Sequence, residues 1–156
     1  MLRLVLAALH LIALGIGLGA VWARARSLAE RPVTLGAVRR ALVADTWWGI
    51  AAVLWISTGL WRLLAGTEKA TGYYLHNHAF FAKMGFLILI LALEVWAVMT
   101  LSRWRIAVGS AGSAWQPDEA AAARVRAISY AEATLVVAMV AAAVAMARGY
   151  GYRGPG

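Results

Sequence analysis

The sequence predicts an all-α integral membrane protein, a four-helix bundle whose spans run up, down, up and down. Three observations carry that expectation. Hydrophobic residues make up 63% of the 156 residues and charged residues only 14%, against roughly 45–50% and 25% in soluble domains. The mean hydropathy is +0.72. The apolar residues also gather into four stretches, each near the ~20 residues that a helix needs to cross the hydrocarbon. A water-facing surface made from this composition would expose large apolar patches, and disordered chains are poor in such residues. The length is that of a single transmembrane domain.

The first stretch, residues 4–22, has His10 as its only strongly polar side chain. Arg3 before it and Ala23-Arg24-Ala25 after it resemble a cleavable leader. The apolar run is longer than the roughly 7–15 residues of such a segment, so a retained span is expected. The second stretch, residues 46–64, follows a break at Pro32 and a helical approach over 34–45. The third covers residues 80–101. The fourth runs from about 127 to 147, and Gln116-Pro117-Asp118-Glu119 before it reads as a helix start, with proline and acids in the first turn. Gly149, Gly151, Gly154 and Pro155 predict a flexible tail over 149–156.

The chain carries 15 basic and 7 acidic residues and a formal charge of +8. Its arginines flank apolar segments, which reads as basic loops at a lipid surface and not as nucleic-acid binding. Arg24, Arg26, Arg31, Arg39 and Arg40 lie between the first two spans, and Arg103, Arg105, Arg124 and Arg126 between the last two. Arg3, Arg62, Lys69, Lys83, Arg148 and Arg153 belong to the opposite side. Nine against six places both termini and the 65–79 loop outside. Trp22, Trp47, Trp48 and Trp104 are expected at the inner interface, with Trp61, Tyr73, Tyr74 and Tyr150 at the outer one. Cysteine is absent, which excludes disulfides, iron–sulfur clusters and thiolate chemistry.

Ionisable groups inside spans are costly, so each is a candidate for function. Span directions put Asp45, Glu94 and Glu132 in the inner half, with Arg24, Arg26, Arg39 and Arg40 as available partners. A buried polar network of Asp45, Glu94, Glu132, Arg24 and Arg39 tying the helices together is the plain reading, and a proton path would use the same groups. The outer half holds His10, Lys83, His76 and His78. His10 could ligate haem iron or hydrogen-bond a neighbouring helix. Met139 and Met146 are candidate axial partners on the side of Glu132, although methionine more often fills gaps in packing. Lys83 lies eleven residues before Glu94 on the same face, about 16 Å away at ~1.5 Å per residue, too far to pair with it. His76 and His78 with Glu68 make a thin metal set, and no metal site is expected. Gly15 and Gly19 have the spacing that lets another helix backbone approach closely. Trp55 at mid-membrane reads as a core tryptophan. No GxSxG, phosphate-binding loop or HExxH occurs.

The segments LAALHLIAL in span one, RRALVADTWWGIAAVL entering span two and GYYLHNHAFFAKMGF entering span three resemble an uncharacterised family of small bacterial predicted membrane proteins with four spans. The last segment is the most specific, with paired tyrosines, Leu75-His76-Asn77 and a lysine six residues after Asn77; typical members carry proline where this chain has His78. The resemblance covers most of residues 4–105 and implies a multi-pass protein of the bacterial inner membrane, without implying a chemistry. More distantly, a span-one histidine with a lysine opening span three is similar to the four-helix membrane protoporphyrinogen oxidases. That resemblance implies haem b, with His10 and Lys83 as the functional pair; His76 and Met139 are further candidate cofactor-binding residues by their own side-chain chemistry.

Three roles follow. The leading one is a membrane protein without a catalytic site, an accessory subunit whose partners are the bilayer and other membrane subunits or a second copy. The alternatives are a haem- or porphyrin-binding redox protein using His10 and Lys83, and proton or ion conduction through Glu94 and Glu132. The predicted sidedness is directly testable, because the chain has no cysteine of its own. In intact cells a membrane-impermeant maleimide should label Arg3→Cys and leave Glu30→Cys unlabelled; the reverse pattern contradicts the orientation.

Overall fold

The structure, a computed structural model, describes residues 1–65, 76–111 and 115–151. Its helices are α1 (Leu2–Ser27), α2 (Leu35–Leu64), α3 (His78–Ala111) and α4 (Glu119–Ala147). All four are long and apolar enough to cross a membrane. Lys69, Glu68, Tyr73, Tyr74, Leu75, Arg153, Gly154 and Pro155, which the sequence reading used, lie outside the described residues.

Local chemistry sets the helix starts. Thr34 accepts the Ala37 N–H at the head of α2, and Asp118 accepts the Ala120 N–H at the head of α4. Each satisfies one of the donors that a first helical turn leaves without a partner. Asn77 does the same for α3, accepting the Ala79 N–H at 2.9 Å. Its amide donates to the carbonyl of Tyr150 at 3.3 Å, and the His78 N–H donates to the carbonyl of Gly151. The chain after α4 is thus fastened to the start of α3. Gly151 has φ +80°, and a Cβ there would lie 3.1 Å from the Ala79 nitrogen, so both conformation and space call for glycine.

Neighbouring helices run antiparallel. His10 meets Thr58 and Arg24 meets Asp45, so α1 and α2 cross in opposite directions. Arg24 also meets Glu94 and Glu132, while Asn77 meets Tyr150, which sets α3 against α4 in the same way. The helix α1 packs on both α2 and α4, α3 packs mainly on α4, and the α2–α3 seam is sparse.

Two apolar cores form along the bundle axis. One, built around Val21, Trp48, Trp55, Ile90, Val136 and Met139, lies towards the termini. The other, built around Leu28, Val38, Leu42, Leu101, Trp104 and Val125, lies at the opposite end. Outward faces are also apolar: Leu4 is 70% exposed, Val53 66%, Ile88 65% and Val137 55%, one on each helix. A surface of this kind is stable where lipid covers it.

Two expectations need correction. Trp48 and Trp104 are core residues and not interface markers, because they point into the seams between helices. Trp22, Trp47 and Trp61 are exposed as interfacial residues should be. A Cβ added at Gly15 or Gly19 would meet no neighbouring helix within 4 Å; the close approach of α2 to α1 is at Gly17, where an added Cβ would lie 3.2 Å from the Trp48 ring and 3.4 Å from the Ala51 methyl. The helix α3 continues to Ala111, past residue 101, where the third apolar stretch ends.

Candidate functional site

Arg24 is wholly buried although it lies near the end of α1. Its guanidinium has five N–H donors in a fixed fork, and each has an acceptor. The Nε donates to Ser129 Oγ at 2.8 Å. The Nη1 donates to Asp45 Oδ1 at 2.8 Å and Glu94 Oε1 at 3.0 Å, and Nη2 to Glu94 Oε2 at 2.9 Å and Glu132 Oε2 at 2.5 Å. Glu94 is therefore held through both oxygens, the geometry in which arginine binds a carboxylate best. Ser129 passes its own proton back to the carbonyl of Val125 at 2.8 Å. One side chain of α1 is bonded to α2, α3 and α4 at once.

A second guanidinium closes the cluster at its rim. Arg105, on the extended part of α3, donates to Asp45 Oδ2 at 3.0 Å, to Thr46 Oγ1 at 3.1 Å and to the Leu42 carbonyl at 3.3 Å. Its side chain is half exposed, whereas those of Asp45 and Glu94 are mostly covered and that of Glu132 wholly so. Both oxygens of Asp45 are thus met by arginine, as are both oxygens of Glu94. Glu132 differs: its Oε1 is buried without a hydrogen-bond partner among the described residues.

Counting about 1.5 Å per residue, the cluster lies roughly 20–35 Å from the end of the bundle that carries the termini. That depth is the far edge of a hydrocarbon layer about 30 Å thick. The helices α2, α3 and α4 continue beyond it and enclose the second apolar core. The connection between α1 and α2 seals that end. Leu28 and Val33 are buried in it, Glu119 accepts the Val33 N–H at 2.5 Å, and Arg31 pairs with Glu119.

Of the network expected from the sequence, Arg24, Asp45, Glu94 and Glu132 are brought together. Arg39 is not; it is exposed on α2. At ~100° per residue, its six-residue offset turns it about 120° away from Asp45. Arg40 is exposed too and pairs with Glu30. Arg105 takes the place assigned to Arg39.

The candidate cofactor residues have separate surroundings. His10 Nδ1 lies 2.9 Å from Thr58 Oγ1. The Thr58 hydroxyl also lies 2.7 Å from the Leu54 carbonyl and 3.1 Å from the Trp55 carbonyl. The imidazole stands 5.7 Å from the Trp55 ring and 3.1 Å from where a Cβ on Gly59 would sit. Met139 is buried in the core nearer the arginine cluster. Lys83 is half-buried on α3. His76 is exposed just before α3. The interior space bordered by Ala13, Gly17, Trp48, Trp55 and Val136 has a volume of about 10 Å³, room for about one water. A wider groove of about 540 Å³ opens outward between α1 and α4, along Gly15, Gly19, Trp22, Ala133, Thr134 and Val137.

A family model described as "Predicted membrane protein (DUF2214)" matches residues 2–151. No curated protein and no solved structure matches the chain. The likeness to haem-binding oxidases has no support beyond the residues that suggested it.

The two arginines should differ sharply in weight. Removing one partner of a buried ion pair strands the others and costs about 3–5 kcal/mol, whereas an exposed pair contributes about 0–1 kcal/mol. Denaturation of the detergent-solubilised protein, followed by circular dichroism, should show Arg24→Gln losing stability on the first scale and Arg105→Gln on the second. Arg24→Lys should recover only part of the loss, having three donors for five acceptors. Equal effects at the two positions would contradict this division.

Proposed function

We propose, for a chain that belongs to the family of predicted membrane proteins designated DUF2214, a structural role without catalysis: a compact multi-pass subunit that packs against other membrane subunits. The observation that carries this reading is the closed accounting of Arg24. All five of its donors are spent on side chains of the three other helices. The carboxylates that a catalytic reading would call upon are the ones that hold the helices in register. His10 supports the same reading as a contact between helices, its Nδ1 2.9 Å from Thr58 Oγ1 and its ring set against Gly59 of α2.

The place we assign to a partner is the outward groove between α1 and α4. Gly15, Gly19, Ala133 and Thr134 present little side chain there, the surface on which a helix of another subunit can approach closely in lipid. The arginine distribution further supports termini on the outer side, and the family resemblance implies the bacterial inner membrane.

Purification in mild detergent tests the reading. The protein should be colourless and migrate as an assembly larger than its own 16.7 kDa chain. Replacing His10 by alanine should leave that assembly intact, at a cost near the ~1 kcal/mol of one hydrogen bond. A Soret band that disappears in the His10→Ala protein would overturn the reading in favour of a tetrapyrrole.

A further inference from the structure

We propose that the arginine cluster is a binding site for one proton, carried by Glu132 and shared with Glu94. This goes beyond the structural role above and stands on the cluster alone, whatever packs outside it.

The charge count is the starting point. Three carboxyl groups, Asp45, Glu94 and Glu132, face two guanidiniums, Arg24 and Arg105. With every group ionised the cluster holds one negative charge in excess, and an uncompensated charge is very costly where water is excluded. The cluster lies between two apolar cores. One bound proton makes it neutral.

Geometry then assigns the proton. Asp45 Oδ1 faces Arg24 and Oδ2 faces Arg105. Glu94 is gripped by Arg24 through both oxygens. These two carboxylates are fully served as anions. Glu132 is served on Oε2 alone, while its buried Oε1 has no partner among the described residues. No donor in the cluster is left over to meet it. The five N–H groups of Arg24 are spent, Ser129 on the same helix gives its proton to Val125, and Arg105 points at Asp45, Thr46 and Leu42. Glu94 and Glu132 accept from the same nitrogen, Nη2, which sets their carboxyl groups side by side. A proton on Glu132 directed at Glu94 supplies the missing donor and removes the repulsion between the two acids. This is the arrangement of two carboxyls sharing a proton because both cannot stay ionised side by side.

Infrared spectroscopy of the full chain in lipid bilayers at neutral pH reads this directly. The expected result is a carbonyl band of one protonated carboxylic acid per chain, shifted by deuteration. It should be lost in Glu132→Gln and kept in Glu119→Gln, whose carboxylate is exposed. Wild-type protein made with glutamate labelled by carbon-13 at the side-chain carboxyl should show the band at lower frequency, a measurement independent of how the variants fold. Absence of the band in the wild type, its survival in folded Glu132→Gln, or its failure to shift on labelling would overturn the proposal.

Discussion

The whole arrangement depends on a single guanidinium being satisfied away from water. A buried arginine is tolerable only if each of its donors finds an acceptor, and Arg24 finds them on all three other helices. In a bilayer this constraint has unusual reach. Lipid tails are as apolar as leucine side chains, so burial alone scarcely drives helices together, and close packing and polar contacts must hold them. Five acceptors placed around one fork fix the depth of each helix relative to the others, and sliding one helix by a turn would leave a carboxylate stranded.

The rest of the bundle follows from that register. Towards the termini, small residues let α1 and α2 come close, with Gly17 under the Trp48 ring and Gly59 under His10. Away from the termini, α2, α3 and α4 outrun the hydrocarbon and build a second core over Leu28 and Val33. That extension keeps water from the inner face of the cluster. Arg105 is half exposed at the rim, and Asp45 and Glu94 keep a small exposed share. At the opposite end Asn77 ties the start of α3 to the turn after α4, where α2 and α3 contribute little contact.

Much of this was legible in the sequence, for reasons that can be named. Apolar runs near the width of a bilayer located the spans, and counting depth along alternating spans placed Arg24, Asp45, Glu94 and Glu132 at one level. Facing was harder to read. Arg39 is at a suitable depth, yet its offset from Asp45 turns it outward. Arg105 was assigned to a loop because the apolar run ends at residue 101, whereas the helix continues to Ala111. Once that continuation is known, its eleven-residue spacing from Glu94, three turns of helix, marks it as sharing the face. Ser129 carried no signal, since a serine bonded to the carbonyl four residues back looks like any helical serine. The spacing of Gly15 and Gly19 reads as a close-approach surface, but spacing does not say which face of the helix a neighbour uses. The structure turns that surface outward and uses Gly17 instead. Paired tryptophans at 47 and 48 differ by about 100° around the helix, enough to send one to lipid and the other into the core.

The central claim is that Arg24 and the acids act as one unit, and energetic coupling between two of its members measures this most directly. Stabilities of the wild type, Arg24→Gln, Glu132→Gln and the double variant, from reversible unfolding in detergent micelles, give that coupling. The account predicts that the double variant loses less stability than the two single losses added together, by roughly 1–3 kcal/mol, as groups in one network do. Losses that simply add would mean that the two side chains act independently and that the bundle is held by something else.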